Sequence, residues 1–198
     1  MRQIHEFDDD EDRGYKRLPP GMNFVKDTDV YLFGGINDSV MKWVLPELHD
    51  ILNEGMNQKN ARVMFHINSY GGSADVCKEV VTWMEMAKAL DITICTQVFS
   101  RAYSAASVIA AAGTRGHRFI SCFGEHLCHL GSVDMGKLSN DVEAARANET
   151  VRRHFNFVRN CYKKYAKIKN LDKVIHDEGL IFTGEETIQN GLADELTF

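Results

Sequence analysis

The stretch SRAYSAASVIAAAG, residues 100–113, is built almost wholly of small and apolar side chains. A segment of that composition has no polar face to offer solvent, so it fits a helix buried on every side. Ser104 stands at the head of this helix, where unpaired backbone N–H groups and the positive end of the helix dipole favour a developing negative charge. A serine there either caps the helix or serves as a nucleophile, and the flanking sequence bears on the choice.

Upstream, from Asp29, strand patterns alternate with helix patterns. Residues 30–33, 63–67 and 92–99 read as strands. Val40, Val44, Leu48, Ile51 and Leu52 recur at helical spacing, as do Cys77, Val80, Val81, Met84, Ala87 and Leu90. Pro46 falls inside the first helix, where an interior proline costs roughly 3 kcal/mol, so a kink or a later helix start is expected. Strand–helix alternation predicts an α/β fold with parallel pairing through right-handed crossovers. Loops then gather at the carboxyl ends of the strands, which makes the NSYGG turn, residues 68–72, a neighbour of Ser104. Its glycines allow positive φ and close approach of backbone N–H groups. No lysine and hydroxyl follow as in a phosphate loop, and no G-x-G-x-x-G is present; an oxyanion-binding turn fits better.

Downstream, residues 115–120 begin a further strand and residues 125–130 another, which contains His126 and His129. Their odd separation sends the two imidazoles to opposite faces, so only one can face Ser104. The same alternation keeps them from converging with Cys122 and Cys128, and no C-x-x-C pair exists, so no metal site is expected. The five cysteines, odd in number and mostly within apolar segments, read as reduced, packed thiols. Residues 139–169 form a long helical segment in which Val151, Phe155, Val158, Tyr162 and Tyr165 make a narrow stripe. That stripe suits either a protruding helix that pairs with another subunit or an amphipathic core helix. A short helix over 171–177 and a helix capped at 182–186 close the chain.

A chain of 198 residues with 44% apolar content suits one domain, or one domain with an arm. A net charge of −5 with no basic cluster excludes nucleic acid as an expected partner, and no apolar run spans a bilayer. Together with the lack of a secretory hydrophobic region, this predicts a cytoplasmic protein. Ahead of the alternating pattern lies an acidic run, Asp8 to Asp12, then Pro19-Pro20-Gly21. Like charges repel and offer nothing to bury, so this segment is expected to be an arm, either mobile or ordered within an assembly.

Several motifs in fixed order carry a resemblance: YLFGGI at 31–36, INSYGG at 67–72, AYSAAS at 102–107 with AAAG behind it, RFISC at 118–122, Cys128-His129, FTGEE at 182–186 and NGLAD at 190–194. Over nearly everything from Asp29 to Leu196 the chain resembles the proteolytic subunit of the caseinolytic Clp protease, in the ClpP/crotonase superfamily. The resemblance implies repeated β-β-α/β-α units with a protruding handle helix. It divides the chain into an arm, residues 1–28, flexible or pore-lining, and a peptidase domain, residues 29–198, whose handle region is about 131–169.

The resemblance makes Ser104 the nucleophile and His129 the general base, with Gly72 and Ala105 supplying oxyanion-hole N–H groups. The acid is displaced: strict spacing back from Thr183 falls on Gly179, one residue of slip reaches Glu178 and two reach Asp177. Tyr70 replaces the usual proline, Leu130-Gly131 replace Gln-Pro after the histidine, and Ser100 replaces a glycine. Also implied are a homo-oligomer of stacked heptameric rings, an AAA+ Clp unfoldase that uses ATP and feeds in unfolded proteins or peptides, and no cofactor bound to the chain itself. The alternatives are a catalytically weak ring subunit that acts through mixed assembly or unfoldase binding, and an acyl-CoA enzyme of the crotonase type on the same fold.

Overall fold

The structure, a computed structural model, describes residues 23–55, 61–131, 140–176 and 179–197. The acidic run, Asp177 and Glu178 lie outside the described residues.

The first described element is a hairpin of β1 (Asn23–Lys26) and β2 (Asp29–Leu32), paired antiparallel. The buried Asn23 ties the start of the hairpin to the chain that follows: its amide donates to Gly35 O at 2.8 Å and Ser39 Oγ at 3.0 Å, and accepts from Gly34 N at 3.1 Å. The Pro46 conflict is resolved by a break. Helix α1 (Asp38–Trp43) ends at Val44, and α2 (Leu45–Gly55) restarts with Pro46 in its first turn, where the missing N–H has no intrahelical partner to lose.

β3 (Arg62–Ser69) alternates buried and accessible residues along its length, and α3 (Ala74–Ala89) packs back onto it with Val80, Trp83 and Met84 buried. β4 (Thr93–Tyr103) runs longer than its apolar pattern suggests and serves two neighbours. Residues 96–98 pair with β5 (Arg118–Ser121), whereas residues 101–103 pair with β6 (Glu125–Cys128). β6 in turn pairs antiparallel with β7 (Leu180–Thr183), and β5 carries β8 (Glu195–Thr197) at its outer edge. The inner pairings β2–β3, β3–β4, β4–β5 and β4–β6 are all parallel, so this is a mixed α/β sheet whose interior is parallel, as the alternation predicts. The hand-over along β4 opens the sheet at the point where the chain enters α4 (Ala105–Ala111).

Every residue of α4 is buried, the outcome required of a helix with no polar face. Its end is gripped by Arg118, whose guanidinium donates to Ala111 O at 3.2 Å, Tyr165 O at 2.9 Å and Gly191 O at 2.9 Å while pairing with Asp194. The stripe of the long helix α5 (Asp141–Tyr165) is covered unevenly along its length. Val158, Tyr162 and Tyr165 are buried against the domain, but Val151 and Phe155 are only partly covered. Glu85 anchors the buried half, accepting from Tyr165 at 2.9 Å and pairing with Lys164. The short α6 (Leu171–His176) and α7 (Gly184–Gln189) flank β7. None of the five cysteines forms a disulfide, and Cys122 alone is exposed.

Candidate active site

Ser104 sits between the last residue of β4 and the first of α4 with φ 57° and ψ −122°. A non-glycine residue there is strained, by about 1–3 kcal/mol. The strain is enforced from both sides: Ser104 N donates to Leu127 O at 2.9 Å, and α4 begins at the next residue. Ser104 makes no side-chain cap hydrogen bond. Of the two roles open to a serine at a helix head, the cap is therefore the one its geometry does not fill.

The glycine turn lies beside it, as strand order requires. Gly71, at φ 90°, is pressed against the serine turn: a Cβ there would come within 2.4 Å of Tyr103 O and 2.8 Å of Ser104 Cβ. Gly72, at φ 151°, leaves no space either, since a Cβ would meet Ile36 O at 2.3 Å. Ile36 forms a parallel bridge with Gly72 through Ile36 N to Gly71 O at 2.9 Å and Ser73 N to Ile36 O at 2.7 Å. Because that bridge uses the groups of residues 71 and 73, the Gly72 N–H faces the other way, toward the cavity that Gly72 lines. Ala105, first residue of α4, has an N–H with no carbonyl four residues back inside the helix.

His129 follows β6 directly and lines the same cavity, of about 540 Å³, as Ser104, Ala105 and Gly72. Burial holds its pKa below the ordinary 6.5. Its Nε2 is buried with no hydrogen-bond partner among the described residues, so the resting site brings the two side chains to one cavity without joining them. Gly179, at φ 83°, packs against the His129 Cβ and the Cys128 carbonyl. The strict-spacing position of the acid thus adjoins His129 but carries no side chain, and the two neighbouring carboxylates, Asp177 and Glu178, are outside the described residues.

Further residues line the cavity, and of these His154 and Asp75 have no counterpart in the sequence reading. His154 of α5 pairs with Asp75 in the first turn of α3 at 2.9 Å. Apolar lining comes from Cys77, Phe157 and Val158. Tyr103 bonds Glu125, which raises the phenol's pKa, and Arg101 both bonds and covers Tyr70, 4.4 Å above its ring. The signal for His154 was present, one turn before Val158 on the apolar stripe, but a stripe read only for its apolar members passes over it. His126, by contrast, is completely buried beneath α4, on the side opposite the cavity, as the odd separation from His129 requires. No group of three or more His, Cys, Asp or Glu residues suited to a metal ion occurs among the described residues, and no described helix is long and apolar enough to cross a membrane.

An α/β fold with a mixed sheet, a buried helix entered through a strained serine turn and a flanking glycine turn places the chain in the ClpP/crotonase-like fold class. Residues 18–198 match the Clp protease family, and the chain belongs to that family. It is similar to the ATP-dependent Clp protease proteolytic subunit 4 of Rhodococcus jostii (strain RHA1), 30% identical over 84% of this chain and 82% of that protein. It is also similar to proteolytic subunit 1 of Tropheryma whipplei (strain Twist), 29% identical over 92% of this chain and 86% of that one. The proteolytic subunit of Streptococcus pyogenes serotype M5 (strain Manfredo) is 26% identical over 93% and 91%.

Proposed function

We propose that this chain is the serine endopeptidase subunit of a self-compartmentalised, ATP-dependent Clp-type protease. The observation that carries the reading is the strained, uncapped Ser104 at the head of α4, sharing one cavity with His129 and with the Gly72 turn. His129 Nε2 takes the Ser104 proton as Oγ attacks a peptide carbonyl, and the N–H groups of Gly72 and Ala105 stabilise the tetrahedral anion. The imidazolium then protonates the leaving amine, and water, activated by the same imidazole, hydrolyses the acyl ester. Glu178, or Asp177 one residue further back, orients the imidazole. This chemistry needs only side chains, backbone and water. ATP is consumed by a separate AAA+ unfoldase, which delivers unfolded chains to stacked heptameric rings of this subunit in the cytoplasm.

Hydrolysis of a fluorogenic peptide by the purified oligomer, abolished in Ser104→Ala, tests this reading. A second reading rests on Gly179: with no side chain where the acid is expected, the subunit is catalytically weak and serves a mixed ring or an unfoldase surface. Strong peptidase activity of the purified chain alone contradicts it; activity that appears only when an active homologue is mixed in favours it.

A further inference from the structure

The catalytic reading leaves unused a second serine–histidine pair. Ser107 lies one turn along α4 from Ser104, and His126 lies three residues before His129 in β6. Ser107 Oγ and His126 Nδ1 are 3.0 Å apart, and both residues are 0% exposed. No substrate reaches them, so this is not a second reactive centre.

We propose that Ser107 and His126 are positioning residues whose hydrogen bond locks the nucleophile helix to the strand that carries His129, and so sets the approach of that imidazole to Ser104. The proposal rests on reading Ser104 and His129 as nucleophile and base. Strand alternation supplies the geometry. Leu127 and His129 line the cavity, while His126 and Cys128, on the opposite side of the strand, both meet Ser107, the Cys128 Sγ at 3.5 Å. Nothing described binds His129 Nε2; the strand sets where the ring stands, and the carboxylate of the proposed function turns it from there. The pairing of residues 101–103 with β6, continued by Ser104 N to Leu127 O at 2.9 Å, fixes the strand at the entry to α4. The side-chain bond adds a point one turn into the helix and so fixes the angle of α4 against β6. A directional buried bond specifies an arrangement that interchangeable apolar contacts would not. The pair is kept although His126 Nε2 is itself buried without a partner.

The test uses the assembled full-length protein and four variants: Ser107→Ala, His126→Leu, the double variant, and His126→Asn, whose amide nitrogen stands near the place of Nδ1. Four quantities are read: the rate of acylation by a fluorophosphonate, the peptide KM, Tm, and the titration of the His129 ring by NMR. Each of Ser107→Ala and His126→Leu is expected to slow acylation about tenfold or more with the peptide KM unchanged, as a small misplacement of reacting groups does. The double variant is no slower than either single one, since both remove the same bond, and His126→Asn recovers most of the rate. A purely structural role lowers Tm but leaves acylation per folded site unchanged, and that result, or effects that multiply in the double variant, overturns the proposal. Absence of acylation in the unmodified protein is a failure of the serine peptidase reading instead. The NMR arm then decides the positioning claim: the His129 midpoint moves up toward its ordinary value in Ser107→Ala as the loosened ring gains solvent, and an unmoved midpoint overturns it.

Discussion

Gly179 lies so close to His129 that a Cβ built on it would stand 2.5 Å from the His129 Cβ. The backbone at Gly179, φ 83°, is also one that L side chains rarely adopt. Writing an aspartate into the position that spacing assigns to the acid therefore does not rebuild the site. Gly179→Asp is expected to lose about 1–3 kcal/mol of stability and to acylate more slowly than the parent. Thermal melts and probe labelling check both; faster labelling contradicts this account.

The orienting acid is read from the pH profile. Burial holds His129 low, so it stays neutral and competent as a base to below pH 6.5, and kcat/KM falls only as pH drops through that lowered value. A carboxylate beside the ring pulls the limb upward by stabilising the imidazolium. Glu178→Gln is expected to move the acidic limb to lower pH and to reduce kcat, by up to about 10⁴-fold if the whole orienting effect is lost. Asp177→Asn moves it only if the second residue of slip is the real one. If neither variant moves the limb, no carboxylate assists His129.

Acid stability reports on His126. Burial pushes its pKa down to about 3, so the folded protein keeps it neutral while the unfolded chain gains a proton below about 6.5. This contribution is fully present above pH 6.5 and is lost as pH falls toward 3, on the order of 1 kcal/mol per pH unit. Tm should drop between pH 6.5 and 4.5, above the range of Glu85, whose pKa its lysine and tyrosine partners hold at about 2. His129, also lowered, adds to the slope, so His126→Leu reduces the slope without removing it. A flat Tm across this window contradicts the buried neutral imidazole.

Strain at Ser104 has its own signature. Glycine adopts positive φ at little steric cost, so Ser104→Gly should raise stability by about 1 kcal/mol while abolishing labelling. Ser104→Ala abolishes labelling without that gain. Equal melting temperatures for the two variants contradict a strained turn.

Arg118 is the node behind α4. Its side chain is 3% exposed and ties the ends of α4 and α5 to Asp194. Arg118→Met leaves three carbonyls without a donor and takes the guanidinium from Asp194, which keeps only the Gly116 and Arg118 backbone N–H groups, and is expected to cost about 3–5 kcal/mol, read as a fall in the urea midpoint.

How far the sequence carries follows from what each feature depends on. The buried α4, the glycine turn and the parallel interior come from local composition and strand–helix alternation, which are written in neighbouring residues. The break at Val44 needed only the rule that proline belongs in a helix's first turn. β7 and β8 are short, and β7, with three of its four residues exposed, lacks the alternation that marks a strand; it exists because β6 offers it an edge. Asn23 signals nothing in sequence, because its role is to satisfy carbonyl and hydroxyl groups that only the folded hairpin assembles. The Asp75–His154 and Ser107–His126 pairs are likewise tertiary, joining residues 79 and 19 positions apart.

The central claim, that Ser104 is an activated nucleophile, is tested most directly by treating the folded, oligomeric protein with a fluorophosphonate and mapping the modified peptide by mass spectrometry. The account predicts a stoichiometric adduct on Ser104 that disappears in Ser104→Ala and in His129→Ala. No adduct on Ser104 in folded, assembled protein, or an adduct that persists in His129→Ala, contradicts it.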